Sequence, residues 1–159
     1  MSAGLEAWRE GRLVAAHRIW SAQVAARPTA WTAAYHLARL DGAFGQLTAE
    51  RVDELRHAGL AEPAARRVDA LAERTTGEHS LGALADWDVD ALRAQGADQP
   101  APWWLERGHR AWQAGLFGLA SVLVEEAGAR DAGLEDDLPS WAHGIGAQID
   151  ALVAAVGGA

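Results

Sequence analysis

Residues 4–20 read GLEAWREGRLVAAHRIW, and residues 106–124 read ERGHRAWQAGLFGLASVLV. Placed at one register, Gly4, Ala7, Trp8, Gly11 and Ala16 fall on Gly108, Ala111, Trp112, Gly115 and Ala120. In both copies a glycine interrupts a helix-forming stretch, and glycine is the residue at which a helical pattern turns. The pair predicts a helical hairpin written twice. His17 has no counterpart in the second copy, whereas the small residues do, so what is duplicated is packing.

The same signal extends along the chain. Leu13, His17, Trp20 and Val24 share one stripe at three- and four-residue steps. Leu116, Leu119, Ala120, Leu123, Val124 and Ala127 form another, and Trp141, Ile145, Ile149, Leu152 and Val156 a third. No stretch alternates with β-branched enrichment, so no sheet is expected. Gly11, Gly45, the 77–82 region and Gly115 mark turns within helix pairs. Pro28, Pro63 and the Pro100/Pro102 pair mark joints between them. Thr29, Thr48 and Ser80 are candidate N-caps. The expectation is an all-α domain over 1–159 with about nine short antiparallel helices. They group as hairpin units 1–28, 29–63, 64–99 and 101–132, with a helix over 138–156 capping the last. An irregular helical bundle is the alternative.

The breakers recur at a fixed period: Gly11 to Gly45 is 34 residues, Gly45 to Gly115 is 70, and Pro28 to Pro63 is 35. Such a period suits a helix–turn–helix repeat. Trp104, Gly108, Gly115, Ala120 and Val124, and at the start Gly4, Gly11, Ala16, Trp20 and Pro28, sit at spacings that resemble the tetratricopeptide repeat. Departures are Arg107 at the leucine position, Ala7 and Ala111 at the aromatic position, Ala132 at the closing proline and Glu50 at a small-residue position. The resemblance implies a stacked hairpin array whose concave face holds a peptide or helix of a partner protein. The family's carboxylate-gripping mode uses lysine and asparagine, and this chain has neither.

Composition narrows the chemistry. With no cysteine, disulfides, cysteine nucleophiles and cysteine-ligated metals are excluded. With no lysine, a phosphate-loop lysine and a Schiff base are excluded too. The richness in Ala, Arg and Gly is a biased, bacterial-like composition. A net charge of −8 argues against nucleic acid or anionic membrane as partner. The N-terminus shows no signal-like pattern and no apolar run has membrane-span length, so a soluble cytoplasmic protein is expected.

Few constellations point to catalysis. His17 lies mid-stripe, and its simplest reading is a core-edge histidine bonded to a neighbour. His36 lies on the helical stretch 30–41, and the two could face each other across adjacent helices. Together with a carboxylate they form the alternative expectation, an all-α enzyme or metal-binding protein using His17 and His36. No His-Glu-x-x-His pattern supports it. The run Asp86, Trp87, Asp88, Val89, Asp90 opens like a calcium loop but has Ala91 and Ala97 where glycine and glutamate are required. It reads instead as a helix start, as does the acidic run 135–137. Arg51, Arg56, Arg66, Arg67 and Arg74 are interleaved with acids, which favours surface ion pairs.

Eight tryptophans leave an aromatic surplus, and Trp103 and Trp104, being adjacent, cannot both face one core. The functional expectation is therefore a non-catalytic scaffold that binds an apolar or acidic segment of a protein partner. Trp103, Trp104, Trp31, Tyr35 and Arg39 are its candidate groove residues, with no cofactor and no resident metal. Self-association into a homodimer through the Trp-rich seam is a further expectation.

Overall fold

The computed structural model describes residues 2–58 and 60–158. Among them the chain is all-α and carries no strand, as the periodicity predicts. The described residues form nine α-helices: α1 (Ala3–Arg9), α2 (Leu13–Ala26), α3 (Trp31–Ala43), α4 (Ala49–Arg56), α5 (Ala64–Ala70), α6 (Val89–Gly96), α7 (Ala101–Gln113), α8 (Phe117–Arg130) and α9 (Ile145–Val156). Short 3₁₀ segments occupy 71–76, 84–87, 134–136 and 140–144. No described helix is long and apolar enough to cross a membrane.

The duplicated sequence makes the same turn twice. Gly11 and Gly115 adopt φ of 78° and 82°, in the left-handed region where a side chain would be strained. The next amide reaches back to the third-last helical carbonyl: Arg12 N to Ala7 O at 2.8 Å, and Leu116 N to Ala111 O at 2.9 Å. Gly11 N and Gly115 N bond Trp8 O and Trp112 O, which completes the Schellman pattern in both places. Gly45 (φ 72°), with Gln46 N on Asp41 O at 2.9 Å, repeats the bond between α3 and α4. The stretch 64–99 is different. There α5 runs straight into the 3₁₀ segment and ends at Gly77, and the second helix, α6, has only eight residues.

Capping follows the sequence in part. Thr48 accepts from Arg51 N at 3.2 Å and starts α4. Thr29 caps nothing, because α3 begins one residue later, after Ala30. Ser80 instead closes a turn, accepting from Gly82 N. Asp88 serves two helices, with Oδ2 accepting from Asp90 N in α6 and Oδ1 accepting from Val14 N in α2 at 3.0 Å. Of the acidic run, Glu135 and Asp136 lie in the 3₁₀ turn 134–136 and Asp137 follows it, so the run does not start a long helix over 138–156. The last helix begins only at Ile145, because the preceding turn is held by Trp141, packed over Gly108 and beside His109 and Trp112.

A linear stack would keep the first and fourth hairpins apart; here they touch. Helix α1 rests on α8, and a Cβ at Gly118 would stand 2.5 Å from the Trp8 carbonyl oxygen and 2.6 Å from Arg9 Cα. Val89 N donates to Gly11 O at 2.9 Å, tying α6 to the first turn. Helix α9 covers α8, and its end reaches back to α3: Thr32 Oγ1 donates to Val156 O at 3.1 Å, and His36 Nε2 to Gly157 O at 2.9 Å. The contact between the first and fourth hairpins has a simple cause. Glycine at 118 allows backbone-to-backbone contact that a longer residue would block. Trp8, Trp20 and Trp104, all fully buried, fill the interior with Leu13, Leu119, Leu123 and Leu152; truncating such a tryptophan to alanine removes about 3–5 kcal/mol.

Two glycines of α8 test this packing. Gly118→Ala pushes a methyl group into an unyielding backbone and is expected to destabilise the protein by about 1–3 kcal/mol. Gly128→Ala meets nothing within 4 Å and is expected to stabilise by up to about 1 kcal/mol through helix propensity. Urea unfolding of both variants checks the contrast.

Candidate functional site

The five candidate groove residues fall in three separate places. Trp31 borders a cavity of about 400 Å³ at the α2–α3 joint with Gln23, Arg27 and Thr29. Trp103 and Trp104 meet edge to face at the start of α7, and both press on Gly96, where a Cβ would overlap their rings. Trp104 has no exposed surface, so it is a core residue and not part of a ligand wall. Trp103 is half-buried under Arg107, whose guanidinium carbon lies 3.6 Å from the ring centre. Tyr35 and Arg39 lie elsewhere, and they lead to an arginine-lined concavity.

That concavity is a groove of two adjoining cavities. The inner one, about 320 Å³, is lined by Tyr35 and Arg39 of α3, Arg67 of α5, Glu73 and Arg74 of the following 3₁₀ segment, and Gly115 and Phe117 at the last hairpin turn. The outer one, about 480 Å³, continues past Glu73 and Arg74 to His79, Arg110 and Gln113. Local folding explains the arginines. Residues 67 and 74 are seven apart, two helical turns, so both share the side of buried Leu71, whereas Arg66 points away to Glu62. Arg39 Nη2 donates to Gly115 O at 2.7 Å and Arg74 Nη2 to Gln113 O at 2.8 Å. Gln113 is the last residue of α7, the negative end of its dipole, and Gly115 belongs to the turn that follows. Arg39 also lies over the Trp8 ring, 5.2 Å from its centre, and Arg110 over Trp87.

The arginines divide into two populations. Arg51, Arg56 and Arg66 make the surface ion pairs that the interleaved acids predict, with Glu54, with Asp53 and Asp69, and with Glu62. Among the described residues no carboxylate pairs with Arg39, Arg67, Arg74 or Arg110. Burial, with the charges of Arg67 and Arg74 adding to it, lowers Arg39 to about 10, and it stays a cation at neutral pH. Burial raises Tyr35 against the opposing pull of Arg39 and Arg67, so its hydroxyl keeps its proton. The groove thus offers guanidinium N–H groups, with the hydroxyls of Tyr35 and Ser80 and the Gln113 amide beside them. The seven-residue spacing of Arg67 and Arg74 was the available signal for it, obscured by acids close by in sequence.

The two candidate histidines do not meet. His17 Nε2 lies 2.9 Å from Asp41 Oδ1, and its Nδ1 lies 3.4 Å from Ser21 Oγ. Serine, histidine and aspartate in series have the connectivity of nucleophile, base and orienting acid. The serine contact, however, exceeds the ~2.6–3.2 Å over which a base takes a proton, and Ser21 is one turn along the same helix. His17 is a hydrogen-bonded edge histidine. His36 is fully buried, stacked on Trp20 with ring centres 5.0 Å apart, and its Nε2–H is committed to Gly157 O. Among the described residues no three histidine or acidic side chains gather as a metal site would need. The pairing of His17 with His36 is therefore corrected: each belongs to a different local network.

His36 makes stability depend on pH. Burial, with the Arg39 charge adding to it and the Gly157 carbonyl opposing, lowers it to about 4 from the usual 6.5. The folded protein keeps the ring neutral while the unfolded chain takes up a proton, so stability is lost as pH falls from about 6.5 towards 4. Between pH 7 and 4.5 this group alone costs about 2–3 kcal/mol. His36→Gln retains an amide donor for Gly157 and is expected to flatten the pH dependence of urea unfolding by that amount. No protein-family model, curated protein or solved structure matches this chain.

Proposed function

We propose that this protein is a non-catalytic helical scaffold that holds an acidic peptide segment of a partner protein in the arginine-lined groove. One observation carries the reading. In a chain of net charge −8, Arg39, Arg67, Arg74 and Arg110 converge on one concavity with Glu73 as their acidic neighbour. Unpaired guanidinium groups kept this close repel each other, and a bound anion would offset that cost. Arg39 and Arg74 are held in place by backbone carbonyls, so little side-chain freedom is lost when an acidic ligand docks.

The groove's dimensions support a chain segment as occupant. The two cavities lie end to end, sharing Glu73, Arg74 and Ala114. The walls of Leu71, Ala114 and Phe117 give the apolar stems of such a segment a surface. The resemblance of the hairpins to tetratricopeptide repeats supports the same class of role. Four arginines line the groove, with Tyr35, Ser80 and Gln113 as neutral polar neighbours, and tryptophan lies behind Arg39 and Arg110.

A fluorescein-labelled oligoglutamate peptide, followed by anisotropy at low ionic strength, tests the proposal. Binding is expected to weaken as salt rises through the range that screens exposed charges. Arg110→Glu is expected to weaken it about tenfold. Absence of binding, or binding indifferent to both salt and Arg110→Glu, overturns the reading.

A further inference from the structure

Resting on this reading of the groove, we infer that its inner cavity is a subsite for a phosphoryl group carried by a side chain of the bound peptide. The argument begins with charge. Arg39, Arg67 and Arg74 line the inner cavity together with Glu73, and three cations against one carboxylate leave a double positive charge. A single carboxylate neutralises half of it. A phosphate monoester, close to a dianion at neutral pH, neutralises nearly all.

Donor geometry leads the same way. A carboxylate has two oxygens, which one guanidinium can satisfy with a single fork; a phosphoryl group presents three and accommodates several donors at once. Here three guanidinium groups line one cavity, Arg39 from α3, Arg67 from α5 and Arg74 from the 3₁₀ segment that follows it. Arg39 and Arg74 each give one bond to the backbone of the α7 end, which fixes their planes and leaves other N–H groups of each fork for a ligand. Arg67 lies within hydrogen-bonding reach of the Tyr35 hydroxyl, and that protonated hydroxyl adds a neutral donor beside the cations. The cavity, at about 320 Å³, also extends along Leu71 and Phe117, which form an apolar wall for the carbon stem behind the phosphoryl group.

The outer cavity contrasts with it. There Arg74 and Arg110 stand with Glu73 and the polar Gln113, an environment suited to the singly charged acids flanking a modified residue. The phosphoryl group is thus placed among Arg39, Arg67 and Arg74, and the acidic flank beside Arg110.

The test uses the full chain and two peptides, an oligoglutamate with one central phosphoserine and the same peptide with glutamate at that position, titrated calorimetrically. The phosphopeptide is expected to bind at least tenfold more tightly. Arg67→Gln is expected to reduce phosphopeptide affinity by a larger factor than it reduces affinity for the glutamate peptide. Arg66→Gln, one residue away but turned outward to Glu62, is the control and leaves both unchanged. Thermal melts of the variants verify that they are folded. Equal affinity for the two peptides overturns the phosphoryl subsite while the groove proposal stands; failure of both peptides to bind overturns the groove and the subsite together. Inorganic phosphate binding as tightly as the phosphopeptide overturns the peptide as the source of the phosphoryl group.

Discussion

Gly118 lies so close to the Trp8 carbonyl and the Arg9 Cα that nothing larger than hydrogen fits between the helices there. Because the backbones of α1 and α8 meet, the first and fourth hairpins share a core. Leu119 then reaches Gly11, whose carbonyl receives the Val89 amide, so α6 is drawn against the first turn. Asp88 consolidates the junction by terminating orphan amides of α2 and α6 with one carboxylate. Helix starts left without such acceptors would be costly in a buried junction.

The groove is a product of this closure. Arg39 stands on α3, yet its contacts are with Trp8 of the first hairpin and Gly115 of the last. Arg74 crosses in the same direction to Gln113. The two side chains therefore do structural work at the end of α7, where helix carbonyls lack intrahelical partners, while their remaining donors border open volume. Cations at that place are favoured by the α7 dipole, which helps explain why several tolerate one another.

What could be read from the sequence follows from the range of the interactions. Helix content and the turns at Gly11, Gly45 and Gly115 were legible because periodicity and left-handed glycines are local. The cap at Thr48 was legible for the same reason. The closed packing was not, because Gly118 looks like one more small residue in an Ala- and Gly-rich chain until its neighbour 110 positions away is known. At the candidate site, Tyr35 and Arg39 were legible, but Arg67 and Arg74 read as members of salt-bridged surface helices. Only their common side with Leu71 separates them from Arg66. Trp104 misled because adjacency to Trp103 shows that one of the pair faces outward without saying which.

The chain uses arginine wherever it needs a side-chain cation, and the consequence reaches beyond geometry. A guanidinium neither loses its proton in the physiological range nor offers the amine that acyl-transferring enzymes modify on lysine. The groove's positive charge is in that sense permanent. Control over what occupies it then belongs to the other party: to the number of negative charges a ligand presents, and to the ions competing for them.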